Sequence, residues 1–516
     1  MTEDSAYSQS RIAKNTLILC IRMLFTMGVS LYTSRIVLDV LGIEDYGLYS
    51  IIGGIVVLLA VVSSTMRNAT QRFITFELGR GDSERVCSAF SMSMIAHFIV
   101  SLVILLLGET IGLWYVTTHL NIPAGREHAA LFIYQVSLLT TVLTLMRSPY
   151  DASVISHEKM TFFAVVSILD AVLKLLIAFL LYAAPFDKLI FYSCLILCSN
   201  IIIYICYHLY CRHKFDTCFF RLAIDKAYLK QLFSFLGWSL LGSSATLGTQ
   251  QAGNLIINKF LGVSINAAYG IANQVSGAIY SFAANFQVAY TPQIVKLHSQ
   301  NRQEEFHKLC NSSALLSYYI LFVVSFPIIV NIDYVLRLWL VEVPQYAGIF
   351  CSLLILYSLI DAIQTPFWVG INASGNIKLY EIWLSVILIL NIPFAILALR
   401  LGWPPYWVLI VRVILNLITA MIRCIHVKIQ LRFPIRNYLK NVVSRAFLVS
   451  LSAILVWYVI PHEWARQSFW AFLLFCLISV VFISIIVFAI GIGKSERAVV
   501  LAYIQRFLPF NVIKHD

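Results

Sequence analysis

The chain has 516 residues, of which 60% are apolar and 12% charged, with a formal net charge of +12 and a mean hydropathy of +0.83. A soluble domain carries about a quarter charged residues, so this composition excludes an ordinary soluble enzyme or binding module and describes a chain dissolved in lipid. The polar segments between apolar stretches do not exceed about 25 residues, which leaves no room for a soluble catalytic domain.

In chain order, the polar residues 1–14 lead into an apolar stretch far longer than the roughly 7 to 15 residues of a secretory h-region, so the first span is expected to be retained. Stretches of roughly 20 apolar residues, each able to cross a ~30 Å hydrocarbon core as a helix, predict spans near 15–40, 46–66, 87–116, 127–150, 161–182, 188–211, 233–258, 264–289, 310–332, 345–369, 377–400, 404–427, 442–460 and 468–492. The expected fold is an all-α polytopic membrane protein of about fourteen transmembrane helices. Of the 37 Lys and Arg, roughly 27 fall on the N-terminal side of the membrane, roughly 6 on the opposite side and roughly 4 within spans. That asymmetry places both termini and the segments 67–86, 211–230 and 423–445 in the cytoplasm of a bacterial cell inner membrane. The positive charge is thereby topological: its counter-charges are the headgroups of membrane lipids, and no nucleic-acid partner is expected.

Eleven cysteines are scattered along the chain without a CxxC pair. No disulfide framework, metal site or cofactor is expected from them, and Cys194 and Cys198, on one helix face, read as packing residues. No GxxxxGK[ST] loop is present, which argues against ATP hydrolysis by this chain.

A faint internal repeat with an offset of about 220 residues organises the spans. LGIEDYG (41–47) answers LGVSINAAYG (261–270), TQRFITFEL (70–78) answers TPQIVKL (291–297), SAFSMSMIAHF near 90 answers NSSALLSYYI near 312, and Pro149 with SHEK (156–159) answers Pro366 with SGNIK (374–378). Six spans per copy make the copies parallel repeats around a central cleft, with two extra C-terminal helices. The expected division is a cytoplasmic N-terminus (1–14), a first six-helix bundle (15–211), a basic cytoplasmic linker (212–232), a second six-helix bundle (233–427), a cytoplasmic loop (428–441), two additional helices (442–492) and a cytoplasmic tail (493–516). Two similar bundles facing across a cleft suit alternating access, in which rocking exposes one site to each side in turn.

The stretch LYTSRIVLDVLGIEDYGLYSIIGG (31–54) followed by SSTMRNATQRFITFELGRGD (63–82) resembles the opening of bacterial polysaccharide flippases, members of the multidrug, oligosaccharidyl-lipid and polysaccharide exporter superfamily. The resemblance extends over most of the chain and implies a flippase for undecaprenyl-pyrophosphate-linked oligosaccharide, feeding O-antigen or capsule assembly beside a polysaccharide polymerase machinery. It transfers no individual site residue.

Charges inside spans are costly and normally face a cavity or a partner. Arg22, Arg35, Lys174 and Arg412 are the candidate pyrophosphate-binding cations, because a guanidinium grips phosphate oxygens through two parallel donors and keeps its charge. Snorkelling and helix–helix bonding stand beside that reading. Asp39, Asp170 and Asp361 are candidate carboxylates for coupling to a proton or Na⁺. The spacings Arg35/Asp39 and Asp170/Lys174 equally suit self-neutralised helix pairs. Ser243, Thr246, Gln250 and Asn254 share one face of span seven, and Gln274, Ser281 and Asn285 one face of span eight. These seven form a candidate sugar groove or, equally, polar glue between helices. Pro149, Pro327, Pro366 and Pro393 mark bends that could act as hinges or be ordinary membrane-helix prolines.

Two rivals stand against the flippase. A small-molecule or drug exporter of the same superfamily would share the fold, but cationic drugs call for carboxylates in the cavity. A membrane-embedded polymerase or ligase calls for outward catalytic residues, and His119, Arg126 and His128 are the nearest candidates, with surface placement the simpler account.

Overall fold

A computed structural model describes residues 3–118, 122, 125–184, 186–221, 225–340, 342–459, 463–493 and 497. The first helix, α1, runs from Glu3 to Arg80 and is broken once, at Gly42, into two arms. There follow α2 (Ser83–Leu107), carried by a π turn into α3 (Leu113–Thr118), then α4 (Glu127–Ser156), α5 (Met160–Leu180), α6 (Lys188–Lys214), α7 (Lys226–Leu261), α8 (Val263–Ser299) and α9 (Gln303–Val330). The chain continues as α10 (Ile332–Trp339), α11 (Ala347–Ser374), α12 (Lys378–Arg400), α13 (Trp407–Leu431), α14 (Ile435–Tyr438), α15 (Ser444–Val459) and α16 (Phe469–Ile486). Several starts carry their own signal: the side chains of Asp82, Asp187, Asp225 and Ser468 accept from the first-turn amides of α2, α6, α7 and α16, satisfying donors that no earlier turn can reach.

Among the described residues 11 helices are long and apolar enough to cross a membrane. With the second arm of α1, α7 and α8 added, the order of long helices is the one read from the sequence. Helices α7 and α8 are of crossing length but are not among the 11, since serine, threonine, asparagine and glutamine interrupt them throughout. Helices this polar belong against protein or water rather than acyl chains.

The internal repeat is written into the backbone. Left-handed φ angles occur at Gly42 and Gly262, Gly81 and Asn301, Gly125 and Tyr346, and Glu158 and Gly375. Within each pair the residues lie roughly 220 positions apart, the period of the sequence repeat. Only Gly402 and Arg432 have left-handed φ outside this scheme among the described residues. Gly42 (φ 78°, ψ 171°) and Gly262 (φ 85°, ψ 178°) share one conformation, in a region essentially closed to side-chain-bearing residues. No neighbouring atom lies within 4 Å of a Cβ built on either glycine, so the constraint there is backbone strain alone. Gly42→Ala and Gly262→Ala should each destabilise the protein by about 1–3 kcal/mol, read as a lowered thermal midpoint in detergent; an unchanged midpoint in both would contradict this reading of the kinks.

The packing separates two ends of the bundle. Around the Gly42 kink one apolar core gathers Ile36, Val37, Leu48, Val116, Ile133 and Leu189 from the first half. Around the Gly262 kink a separate core gathers Ile257, Tyr269, Leu336, Phe350 and Leu409 from the second half. Toward the other end, where α1, α4, α8 and α11 finish, Met66, Phe73 and Ile155 of the first half join Phe235, Val295 and Phe367 of the second in one continuous core. Among the described residues the halves are thus fused at this end, called here the closed end, and each has its own core at the other. The appended α16 packs on α9, and Tyr318 and Tyr319 hydrogen-bond to Ser450 and to the Gly491 carbonyl.

Candidate functional site

A cavity of ≈ 500 Å³ lies between the halves. Its wall is built by helical periodicity. Thr65, Asn68, Arg72 and Thr75 come from the second arm of α1; Ser239, Gly242, Ser243 and Thr246 from α7; Tyr280, Gln287 and Thr291 from α8. Tyr357, Asp361, Thr365, Trp368 and Asn372 of α11, Glu381 of α12, and Asn416, Thr419 and Arg423 of α13 complete it. Steps of three and four residues put each set on one helix face. Most of the lining belongs to the second half, with α1 closing it from the first, and Thr65 Oγ1 donates to Ser243 Oγ at 3.2 Å across the divide.

Four charged groups face this space. Arg423 donates through Nε to the Tyr380 hydroxyl at 2.9 Å and places Nη1 3.6 Å from Asp361 Oδ1. Asp361 also accepts from Tyr280 OH at 3.3 Å, which in turn accepts from Gln287 Nε2 at 3.1 Å. Glu381 is buried, and its carboxylate occupies the position a Cβ on residue 242 would need, so Gly242 is the residue that lets α7 and α12 approach. Arg72 donates to the carbonyls of Asn372 at 3.1 Å and Ala373 at 2.9 Å. Two guanidinium groups thus balance two carboxylates, and hydroxyl and amide groups dominate the remaining polar lining.

The residues singled out from sequence are distributed as follows. Ser243, Thr246 and Asp361 line the cavity. Arg22 lies outside it, between the halves: its guanidinium donates to Asn285 Oδ1 of α8 at 2.7 Å and to Ser167 Oγ of α5 at 3.2 Å, and sits 4.8 Å from the Phe163 ring centroid. No acid among the described residues pairs with it, and its Nε is buried without an acceptor. Arg412 donates to Tyr269 OH at 3.1 Å and stacks over Tyr357 at 4.7 Å, behind the cavity wall. Lys174 pairs with Asp170 at 2.8 Å on a half-exposed surface, as their spacing allowed. Arg35 and Asp39 are exposed, and Asp39 accepts from Tyr182 OH at 3.2 Å. Gln250, Asn254, Gln274 and Ser281 are not in the lining; Asn254 donates to Gln251 and Ser281 to the Gly277 carbonyl.

Arg72, Arg423 and Glu381 were not singled out from sequence. Arg72 was hidden because it lies in a segment assigned to the cytoplasm, through which α1 runs on as helix to Arg80; Glu381 and Arg423 fall within the predicted spans but within a turn or so of their ends, where a charge is ordinarily read as interfacial. Arg126, regarded as a surface residue, is partly exposed and bridges Asp45 of α1 and the Asp187 cap of α6. His119 lies outside the described residues, and the prolines singled out stand inside α4, α9, α11 and α12.

The MatE family model matches residues 239–397, from the middle of α7 to the end of α12. Among solved structures, a MATE in the bent conformation superposes with a TM-score of 0.72 at 14% identity, covering 84% of this chain and 98% of that one. The outward-facing conformation of a multidrug resistance MATE family transporter of the MOP superfamily gives 0.69 at 14% identity, with 84% and 98% covered. A MOP superfamily transporter from Pyrococcus furiosus, described as having a binding pocket of reverse polarity, gives 0.66 at 16% identity, with 84% and 98% covered. The fold is that of the MATE transporters. No curated protein matches the chain in sequence. At these identities the likeness concerns architecture, and the MATE fold accounts for the paired bundles and the cleft between them while leaving the lining chemistry to this chain's own residues.

Proposed function

We propose that this chain is a membrane transporter working by alternating access, and that its cargo is a lipid-linked oligosaccharide moved from the cytoplasmic to the periplasmic leaflet of a bacterial inner membrane for O-antigen or capsule assembly. One observation carries the reading: a cavity between repeated halves, with packing fused at one end and, among the described residues, separate at the other, whose polar lining is hydroxyl and amide with its charges balanced. Sugar hydroxyls need paired donors and acceptors, which Thr, Ser, Asn and Gln supply in both senses. The carrier's pyrophosphate needs a cation without an internal counter-ion, and Arg22 at the seam between halves supplies one. An anionic headgroup moving outward across an inside-negative membrane runs downhill by about 2.3 kcal/mol per charge per 100 mV. Asp361, the predicted coupling carboxylate that faces the cavity, is the group through which a proton or Na⁺ would act.

A small-molecule exporter is the second reading. The MATE fold neighbours fit it at least as well, the cavity has the size of a drug site, and Asp361 with Glu381 could receive a cationic compound. Proteoliposomes separate the two. With a fluorescent undecaprenyl-pyrophosphate oligosaccharide, the flippase makes the label in both leaflets accessible to an impermeant quencher and leaves a cationic dye unmoved. Dye transport with no change in label accessibility would replace the first reading by the second, and repeating the assay without Na⁺ or a pH gradient tests the coupling.

A further inference from the structure

We infer that the closed end is held by two clamps related by the internal repeat, in each of which a cation on the second long helix of one half grips the C-terminal end of the fourth helix of the other half. In one clamp Arg72, on the second arm of α1, donates to the carbonyls of Asn372 and Ala373 at the end of α11. In the other, Lys296 of α8 donates to Glu158 Oε1 at 2.8 Å, immediately beyond α4, and Gln293 of α8 donates to Glu158 Oε2 at 3.4 Å. The second arm of α1 corresponds to α8 in the repeat, and α4 to α11.

The two clamps differ in the acceptor, and the backbone says why. Glu158 and Gly375 occupy matching left-handed positions just past α4 and α11. At the first the side chain itself is the acceptor. At the second there is none, and a Cβ would stand 2.5 Å from Arg72 Nη2, so glycine opens the way for the guanidinium to reach the last carbonyls at the negative end of the helix dipole, sharing that of Asn372 with the Gly375 N–H. Arg72 is further held by the Phe73 and Phe76 rings, at 4.5 and 5.1 Å. Between the clamps α1 and α8 touch closely, for a Cβ on Gly79 would come 3.0 Å from Lys296 Cα. Both contacts join opposite halves, so both must break if the halves part here. Given the alternating-access reading on which this rests, they form the latch of the outward-open state.

Hydrogen exchange of the full chain in nanodiscs tests the latch without any substrate, so its failure is distinguishable from a wrong cargo. Lys296→Glu and Glu158→Lys should each speed exchange of peptides around 153–160 and 291–301 about tenfold, since a buried charge loses its partner and meets a like charge. The double exchange, Glu158→Lys with Lys296→Glu, should return both peptides toward parental rates. Gly375→Ala should raise exchange around 370–376 by displacing Arg72. Should a reversal disturb folding, Glu158→Gln retains the shape and is expected to give the same direction. Parental exchange in the single variants, or no recovery in the double, would overturn the inference.

Discussion

Arg423→Ala is expected to be the most damaging single change in the cavity, lowering stability by about 3 kcal/mol and abolishing transport. The guanidinium is buried and serves two acceptors, Tyr380 OH and the Asp361 carboxylate. Truncation leaves the Asp361 carboxylate without its ion-pair partner and removes one of the two guanidinium groups that balance the cavity's two carboxylates. Asp361 retains 29% side-chain exposure, which moderates the cost. Asp361→Asn placed on top of Arg423→Ala should restore part of the loss, and a double-mutant cycle of thermal unfolding in detergent measures the coupling. Independent, additive effects of the two substitutions would mean the pair does not act as a unit.

Arg22→Ala should separate transport from stability in the opposite proportion. Its fork spans from Ser167 of the first half to Asn285 of the second, so it reports on the seam along which the proposed cargo would pass. Losing one charge-assisted hydrogen bond, worth roughly 1.5–3 kcal/mol, corresponds to about tenfold or more in rate. Arg22→Lys should not restore it, because a single ammonium cannot meet both partners with planar geometry. Surface polysaccharide at matched protein level, in the strain from which the gene comes, is the readout. Parental export by both variants would remove Arg22 from the pathway and favour the small-molecule reading.

The parts legible from sequence were those encoded in local pattern. Two of the four pairings that carry the repeat fall at turns, and there the structure gives matching left-handed backbone, at Gly42/Gly262 and Glu158/Gly375. The polarity of α7 and α8 separated them from lipid-facing helices, and two residues of the face read on α7, Ser243 and Thr246, reach the cavity. The cations were legible by type and not by place. Arg412 and Arg22 drew notice because they interrupt apolar runs, yet Arg72, on the part of α1 that continues past the predicted span, and Arg423, near the end of its span, are the ones that enter the cavity.

What the sequence by itself determined is the solvent, the order of the long helices and the repeat that relates the two halves, because hydropathy and turn chemistry act over a few residues and survive without neighbours. Which face of each helix meets the other half, and at which end the halves close, was decided only by tertiary structure. Arg72 and Asn372, or Lys296 and Glu158, lie far apart in the chain and are joined solely by how two bundles dock, and a docking angle leaves no periodicity along the sequence.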